Sequence, residues 1–195
     1  LLMPHQPVVH ALVMPPGATA RPGRGYVSAG VWRSNQPDPK RLRKMHDLGI
    51  RTIINLRGKT PHAHYLFEAE TCAELGIELI DISFMARKAP ARDRLLQLLD
   101  IFDRVETPVL LHCKSGADRA GLASALWKLH VEGAPLEVAQ EQLSRKYLHL
   151  KGTATGVLDE VLELIRAVGH PPPPGRRPRV IPCAGGSGRR RRALR

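Results

Sequence analysis

The sequence predicts an α/β fold of three layers, in which a central, mainly parallel sheet is flanked by helices. Two observations predict it. Short β-prone runs alternate with segments whose apolar residues recur at helical spacing, and this alternation favours a parallel sheet covered by helices. Glycines at positions 49, 58 and 76 separate successive segments at the expected turns.

The first elements are predicted from turn, cap and strand patterns. A strand over residues 26–32 is expected to open the fold. A helix is expected to begin at Pro39, because proline fits the first helical position and Asp38 before it can cap free amide groups. Further strands are predicted over residues 51–56, 77–80 and 108–112.

Later helices are predicted from apolar stripes, which belong to protein cores more often than to binding faces. The stripes are Leu95, Leu98, Leu99 and Phe102; Leu122, Ala125, Leu126 and Leu129; Leu136, Ala139, Leu143 and Tyr147; and Leu158, Val161, Leu162, Ile165 and Val168.

Composition sets limits on the class of protein. The 195 residues include 43% hydrophobic residues, enough for one core, and only 4% aromatic residues. The three cysteines, at positions 72, 113 and 183, lack the pattern of a disulfide framework, which favours a reducing, cytoplasmic setting. No stretch approaches the roughly 20 apolar residues of a membrane-spanning helix.

The chain is expected to contain one catalytic domain, residues 26–169, between two tails. Residues 1–25 are expected to be a flexible leader, because prolines interrupt their apolar run and a basic signal-peptide region is missing. Residues 170–195 contain eight arginines and no acidic residue, which leaves +4 of the net charge of +12 to the remainder. This Pro/Arg-rich tail is predicted to be disordered. It is expected either to contact nucleic acid or an anionic surface unspecifically, or to have no binding role.

The segment from 112 to 119 reads His-Cys-Lys-Ser-Gly-Ala-Asp-Arg, after a β-prone run and before a helical stripe. A turn from strand to helix can point successive backbone N–H groups inward, and the helix N-terminus adds partial positive charge. Gly116 permits the backbone angles that such a turn needs. The segment therefore predicts a phosphate cradle, formed by Lys114, Ser115, Gly116, Ala117, Asp118 and Arg119.

Two residues of this segment are predicted to perform the chemistry. The inward amides favour a negative sulfur, so Cys113 is expected to be a thiolate, which is a competent nucleophile at neutral pH. The planar fork of Arg119 matches two phosphate oxygens and would hold the charge of a phosphoryl transition state. The alternative interpretation of Cys113 is a small, buried hydrophobic residue.

The octet fits His-Cys-x5-Arg, and the chain thereby resembles the cysteine-dependent protein tyrosine phosphatase superfamily, more narrowly its dual-specificity branch and bacterial tyrosine-phosphatase-like proteins. The resemblance covers about residues 26–168 and includes Trp-Arg-Ser-Asn-Gln-Pro at 32–37, Ile-Asn-Leu-Arg-Gly at 54–58 and Lys-Ser-Gly-Ala-Asp-Arg-Ala-Gly at 114–121. It implies the same three-layer fold and a phosphocysteine intermediate. It implies no metal or other cofactor.

One position departs from the family pattern. Most relatives have Ser or Thr directly after the arginine, where the hydroxyl helps the thiolate leave, and this chain has Ala120. Either Ser115 supplies a hydroxyl, or the phosphocysteine breaks down slowly.

The resemblance also implies an aspartate that protonates the leaving group. Asp81 is predicted for this role, since the carboxyl ends of parallel strands meet at one edge of a sheet and would bring Arg57, Asp81 and Cys113 together. Asp93 is the alternative acid, although an acidic residue at a helix start is favourable in any case.

Five further residues have two interpretations each. Arg33 and Arg57 either line the mouth of the site or pair with structural carboxylates. His112 is expected to hydrogen-bond backbone near the loop rather than to act as a base. His62 and His64 are expected to be solvent-facing residues at a helix start rather than metal ligands, because no further ligand has suitable spacing.

The sequence thus predicts a hydrolase of phosphomonoesters, most of all a protein tyrosine or dual-specificity phosphatase. Its expected partner is a phosphorylated protein or a small phosphomonoester. The alternatives are a catalytically weak phosphate-binding module and a phosphatase on inositol phosphates or RNA 5′ ends. Asp118 offsets Lys114 in the loop, which disfavours a second phosphate there without excluding it.

Overall fold

The computed structural model describes residues 25–144 and 156–168. Its strands are β1 (Gly25–Ser28), β2 (Val31–Ser34), β3 (Thr52–Asn55), β4 (Glu78–Asp81) and β5 (Val109–His112). They form one five-stranded sheet in the order β1-β2-β5-β3-β4. β1 runs antiparallel to β2, whereas β2 and β5, β3 and β5, and β3 and β4 pair in parallel.

Helices cover both faces of this sheet. They are α1 (Pro39–Asp47), α2 (Ala63–Leu75), α3 (Arg92–Arg104), α4 (Asp118–His130), α5 (Leu136–Gln140) and α6 (Val157–Val168). In one buried cluster, α1 and α2 pack against the sheet residues Ile53 and Leu110. In the other, the four helices α3, α4, α5 and α6 pack against Ile54 and Leu111. Neighbouring residues of a strand point to opposite faces, so the predicted three-layer α/β fold is confirmed.

The predicted strand over residues 26–32 is wrong in its bounds, since a hairpin occupies this region. β1 ends at Ser28, and the chain turns through Ala29 and Gly30 into β2. Gly30 has φ of +78°, and a Cβ there would lie 2.8 Å from Cβ of Thr107. A residue with a side chain would be strained at this turn and would collide with the neighbouring loop.

Helix starts and lengths agree in part with the sequence patterns. The predicted cap of α1 is confirmed, because Oδ1 of Asp38 accepts the Arg41 N–H at 2.7 Å. The third stripe ends as a helix at Gln140, and Leu143 packs in the core beyond it. Tyr147, the leader through residue 24 and the tail from residue 169 lie outside the described residues.

The parallel register brings the strand ends to one edge. Asn55 at the end of β3 is paired with Asp81 of β4 and with His112 of β5, and Ser34 of β2 is also paired with His112. The residue after His112 is Cys113, so the loop before α4 begins at this edge. Within the described residues, no helix has the length and apolar character that crossing a membrane requires.

Candidate active site

The loop between β5 and α4 holds a buried cysteine at its base. Cys113 is 1% exposed, and its Sγ accepts the N–H of Gly116 at 3.2 Å. Gly116 has φ of +79°, which a residue with a side chain rarely adopts. The amide of Gly116 therefore faces the sulfur, as a loop that stabilises an anion requires.

Arg33 holds the back of this loop. Its Nε and Nη2 donate to the carbonyl of Gly116 at 3.1 and 2.7 Å, and Nη2 also donates to the carbonyl of Ala117 at 2.6 Å. The N–H of a trans peptide points away from its C=O, so these contacts turn the following amides away from Arg33. Nη1 donates to the carbonyl of Gln142 at 2.7 Å. We call the contacts of Arg33 with these three carbonyls the Arg33 clamp.

The position of Arg33 corrects the sequence prediction. Arg33 is 1% exposed, so the expectation that it lines the mouth is wrong, and its guanidinium bonds three backbone carbonyls. Gly121 on α4 makes room for it, because a Cβ there would lie 3.0 Å from Nη2 of Arg33 and 2.8 Å from the Gln142 carbonyl. The last glycine of the loop motif is therefore needed for the clamp to close.

Arg119, in the first turn of α4, reaches the segment after β4. Its Nη1 donates to the carbonyl of Phe84 at 3.3 Å. Its Nε is buried and has no hydrogen-bond partner in the part of the chain that the structure describes. A buried donor without a partner is costly, and a bound oxyanion would satisfy it.

A chain of polar contacts runs beneath the site from Arg57 to His112, the residue before Cys113. Nη1 of Arg57 donates to Oε1 of Gln36 at 2.6 Å, and Nε2 of Gln36 donates to Oε2 of Glu68 at 2.7 Å. Oε1 of Glu68 lies 2.8 Å from Nε2 of His112. His112 was expected to bond backbone, and this expectation is corrected, since its ring faces a buried carboxylate.

Sequence reasoning missed Gln36 and Glu68 as members of this chain. Glu68 lies in the middle of α2, and nothing in the local pattern marks a carboxylate that will be buried. Gln36 lies in one of the segments that carried the family resemblance, which was the only signal available for it.

The guanidinium group of Arg57 interacts electrostatically with Arg119 and with Cys113. Burial and the nearby charge of Arg119 lower the pKa of the Arg57 guanidinium, while Glu68 and Cys113 act in the opposite direction. Arg57 is half-buried and bonds an amide oxygen rather than a carboxylate. Arg57 therefore lies close enough to Arg119 and Cys113 to interact with both electrostatically.

Asp81 also lies at this edge, but both of its oxygens are occupied. Oδ1 accepts from Nδ2 of Asn55 and Oδ2 from the hydroxyl of Tyr65, each at 2.8 Å. Burial and the bond to Asp81 raise the pKa of Tyr65 to about 12. Two strand spacings separate Asp81 from His112, which is roughly 10 Å between their Cα atoms.

The general acid therefore stays a prediction. Each oxygen of Asp81 accepts one hydrogen bond, and these bonds hold the carboxylate between Asn55 and Tyr65. Asp93 is exposed in the first turn of α3.

The remaining loop residues differ in exposure. Lys114 and Ser115 are exposed, and Oγ of Ser115 accepts the Ala117 N–H at 3.3 Å. Asp118 begins α4. Ala120 is fully buried, and the hydroxyl of Ser124 one turn later donates to the Ala120 carbonyl at 2.7 Å. That hydroxyl is engaged by its own helix.

His62 and His64 stack with ring centroids 5.7 Å apart at the start of α2. Among residues 25–144 and 156–168, no three His, Cys, Asp or Glu side chains are grouped so that they could hold a metal ion.

Comparisons with known proteins agree with this geometry. A family model described as "DSP-PTPase phosphatase fused to NAD+ Kinase" matches residues 18–157. The tyrosine-protein phosphatase cdc-14 of Caenorhabditis elegans is 25% identical over 84 residues, or 43% of this chain. The matched region spans only 11% of the length of that relative.

Two solved structures share the fold. TpbA of P. aeruginosa is 18% identical, with 75% of this chain and 91% of that chain covered and a TM-score of 0.55. The core catalytic domain of the PP-IP phosphatase SIW14 from S. cerevisiae is 17% identical, with the same coverage of 75% and 91% and a TM-score of 0.58. At these identities the likeness concerns the fold alone.

Proposed function

The chain belongs to the family of DSP-PTPase phosphatases fused to NAD+ kinase, and from this premise we propose that it hydrolyses phosphomonoesters through a phosphocysteine. One observation supports this mechanism most. The buried sulfur of Cys113 faces the Gly116 amide in a loop whose carbonyls are bound by Arg33 on its other side. Such a loop turns backbone N–H groups toward the side of the nucleophile.

In the first step, the Cys113 thiolate attacks phosphorus and the bond from phosphorus to the leaving oxygen breaks. The electron pair stays on that oxygen, which takes a proton from the general acid. Amides of residues 114–119 and the guanidinium of Arg119 bind the phosphoryl oxygens. These donors are held before the substrate arrives, so they stabilise developing charge without reorganisation.

In the second step, water attacks the phosphocysteine and releases phosphate and the thiolate. No side-chain hydroxyl follows Arg119, because that position is the buried Ala120. We therefore expect breakdown to be slower than formation. Rapid mixing with an aryl phosphate should then show a burst of the leaving group before a slower steady rate.

The substrate that we propose first is a phosphotyrosine protein, with dual specificity for phosphoserine or phosphothreonine. The family description and the name of the cdc-14 relative support this choice. We propose residues 26–169 as the catalytic domain, in a reducing, cytoplasmic setting that keeps the thiolate available. The basic tail is proposed to contact anionic surfaces.

Turnover of para-nitrophenyl phosphate tests this function. The wild type should release nitrophenol, and Cys113→Ser should lower the rate by orders of magnitude while still binding inorganic phosphate. Cys72→Ala is the matched control, since Cys72 is a buried thiol outside the loop. A wild type that binds phosphate without any turnover would instead favour the phosphate-binding module.

A further inference from the structure

The Arg57 side chain and the backbone of Lys114 both contact Gln36 at the rim of the loop. The backbone N–H of Gln36 donates to the Lys114 carbonyl at 3.3 Å, and its side-chain oxygen accepts from Arg57 at 2.6 Å. Arg57 follows β3, whereas Lys114 belongs to the loop after β5. Two separate segments thus place positive charge beside the phosphate cradle.

His64 joins these residues from α2. It lies one turn before Glu68, and residues four apart share one face of a helix. That face contacts Gln36, because Glu68 accepts the Gln36 amide at 2.7 Å. Nε2 of His64 is buried and has no hydrogen-bond partner within residues 25–144 and 156–168.

The charges around His64 are mostly positive. Burial, Arg57, His62 and Lys114 lower its pKa, and Glu68 acts in the opposite direction. Glu68 is fully buried and already engaged by Gln36 and by His112. Cationic groups that repel one another at an opening, beside an unpartnered imidazole nitrogen, are stabilised when an anion lies among them.

We propose that Arg57, His64 and Lys114 form a second anion subsite beside the Cys113 loop, for a second phosphoryl group of a small, doubly phosphorylated substrate. The proposal rests on the proposed function, because the loop and Arg119 take the phosphoryl group that is transferred. Arg57 interacts electrostatically with both Arg119 and Cys113, so the subsite suits a second phosphoryl group near the first. Diphosphates and small bisphosphates meet this condition.

Within the loop itself, the charge of Asp118 offsets that of Lys114, which disfavours a second phosphate there. Arg57 and His64 come from other segments, and the fold adds them to the same rim.

The test measures binding by calorimetry in the Cys113→Ser background, where ligands are not consumed. Two matched pairs serve as probes: phosphate with pyrophosphate, and adenosine 5′-monophosphate with adenosine 3′,5′-bisphosphate. The first pair tests directly linked phosphoryl groups and the second tests separated ones. In at least one pair, the doubly phosphorylated probe should bind about tenfold tighter than the singly phosphorylated one, because it forms additional charge-assisted hydrogen bonds.

His64→Asn and Lys114→Gln should each reduce that ratio severalfold. Lys114 is exposed, so its variant tests the subsite even where His64→Asn disturbs folding. His46→Asn and Arg43→Gln on α1 are the matched controls and should leave the ratio in place, which separates local binding from general attraction to anions.

Equal affinities within both pairs would overturn the subsite, and so would a ratio that neither His64→Asn nor Lys114→Gln reduces. The proposed function fails separately. A wild type that fails to hydrolyse para-nitrophenyl phosphate while the affinity ratio depends on His64 and Lys114 would support the subsite and refute the proposed enzymatic function. An active wild type that binds both members of each pair equally would support the enzymatic function and refute the subsite.

Discussion

Nε2 of His112 lies 2.8 Å from Oε1 of Glu68, and both side chains are fully buried. This contact joins the residue before the nucleophile to the middle of α2. It places the imidazole ring on one side of β5. The second carboxylate oxygen of Glu68 accepts a hydrogen bond from the side-chain amide of Gln36. The base of the loop is thus tied to α2, which lies on the sheet face opposite α4.

Removing the Glu68 carboxylate should destabilise the fold strongly. Glu68→Ala leaves His112 and the Gln36 amide without their buried partner, and we expect the free energy of unfolding to fall by about 3 kcal/mol or more. Glu68→Gln keeps the shape and should cost less. Urea denaturation measures both values.

Glu74→Ala is the matched control for this experiment. It removes a carboxylate from the same helix, where Glu74 forms an exposed ion pair with Arg43. Exposed pairs contribute about 1 kcal/mol or less. Similar losses for Glu68→Ala and Glu74→Ala would show that the buried contact adds nothing.

Alkylation should distinguish the two described cysteines. Burial, followed by the charges of Glu68 and Asp81, raises the pKa of Cys72 to about 12. Cys72 therefore stays a thiol, with its proton bound, up to pH 9 and well beyond, and iodoacetate should not label it there. Cys113 should be labelled first, because its sulfur faces the Gly116 amide, and phosphate or vanadate should protect it. Peptide mass spectrometry measures both sites, and faster labelling of Cys72 would refute the cradle argument.

Arg119→Lys keeps the charge and loses the planar fork. Hydrolysis of para-nitrophenyl phosphate should fall by orders of magnitude while the thermal midpoint changes little. Arg94→Lys, on the exposed side of α3, is the control and should behave like the wild type. Rates near the wild-type value in Arg119→Lys would remove Arg119 from the site.

Asp81→Asn tests the general acid. If Asp81 protonates the leaving group, turnover of phosphotyrosine should fall by roughly 10²-fold, because positioned proton transfer contributes about that much. A substrate whose leaving group departs unprotonated should lose less.

Equal losses on both substrates would assign Asp81 a structural role, as its bonds to Asn55 and Tyr65 would explain. Asp93→Asn is measured alongside, and a selective loss on phosphotyrosine in that variant would move the role to Asp93.

The basic tail should be separable from catalysis. A chain that ends at residue 169 should hydrolyse small aryl phosphates at the full rate, because α6 contributes Leu158, Val161 and Leu162 to the core and ends at Val168. Adsorption to nucleic acid or anionic vesicles should weaken, most of all at low salt. A truncated chain that is insoluble or inactive would place the domain boundary later.

Local patterns were enough for the fold class and for most of its elements. The cap at Asp38 was predicted, and the strands predicted to end at residues 56, 80 and 112 end in the structure at Asn55, Asp81 and His112. The hairpin at Gly30 was missed because one continuous β-prone run hides a turn that only a positive φ reveals.

The partners of Arg33 and His112 were not predictable from the chain alone. The carbonyls that Arg33 binds lie 83 to 109 residues away, and carbonyls exist at every position. Glu68 lies 44 residues before His112, in a helix whose apolar pattern is weak. The family resemblance marked the segments that contain Arg33 and His112, but only the packing of α2 and α4 shows what these two side chains contact.

The Arg33 clamp has a consequence for the order in which the protein is made. A nascent chain leaves the ribosome from its N-terminus, and Arg33 emerges long before Gln142, the most distant of the three residues whose carbonyls it binds in the described part of the chain. Until that residue is available, Gly116 and Ala117 lack the complete anchor that orients them. A growing chain therefore orders the loop around Cys113 late, and fragments that end before α5 should lack the orientation of this loop.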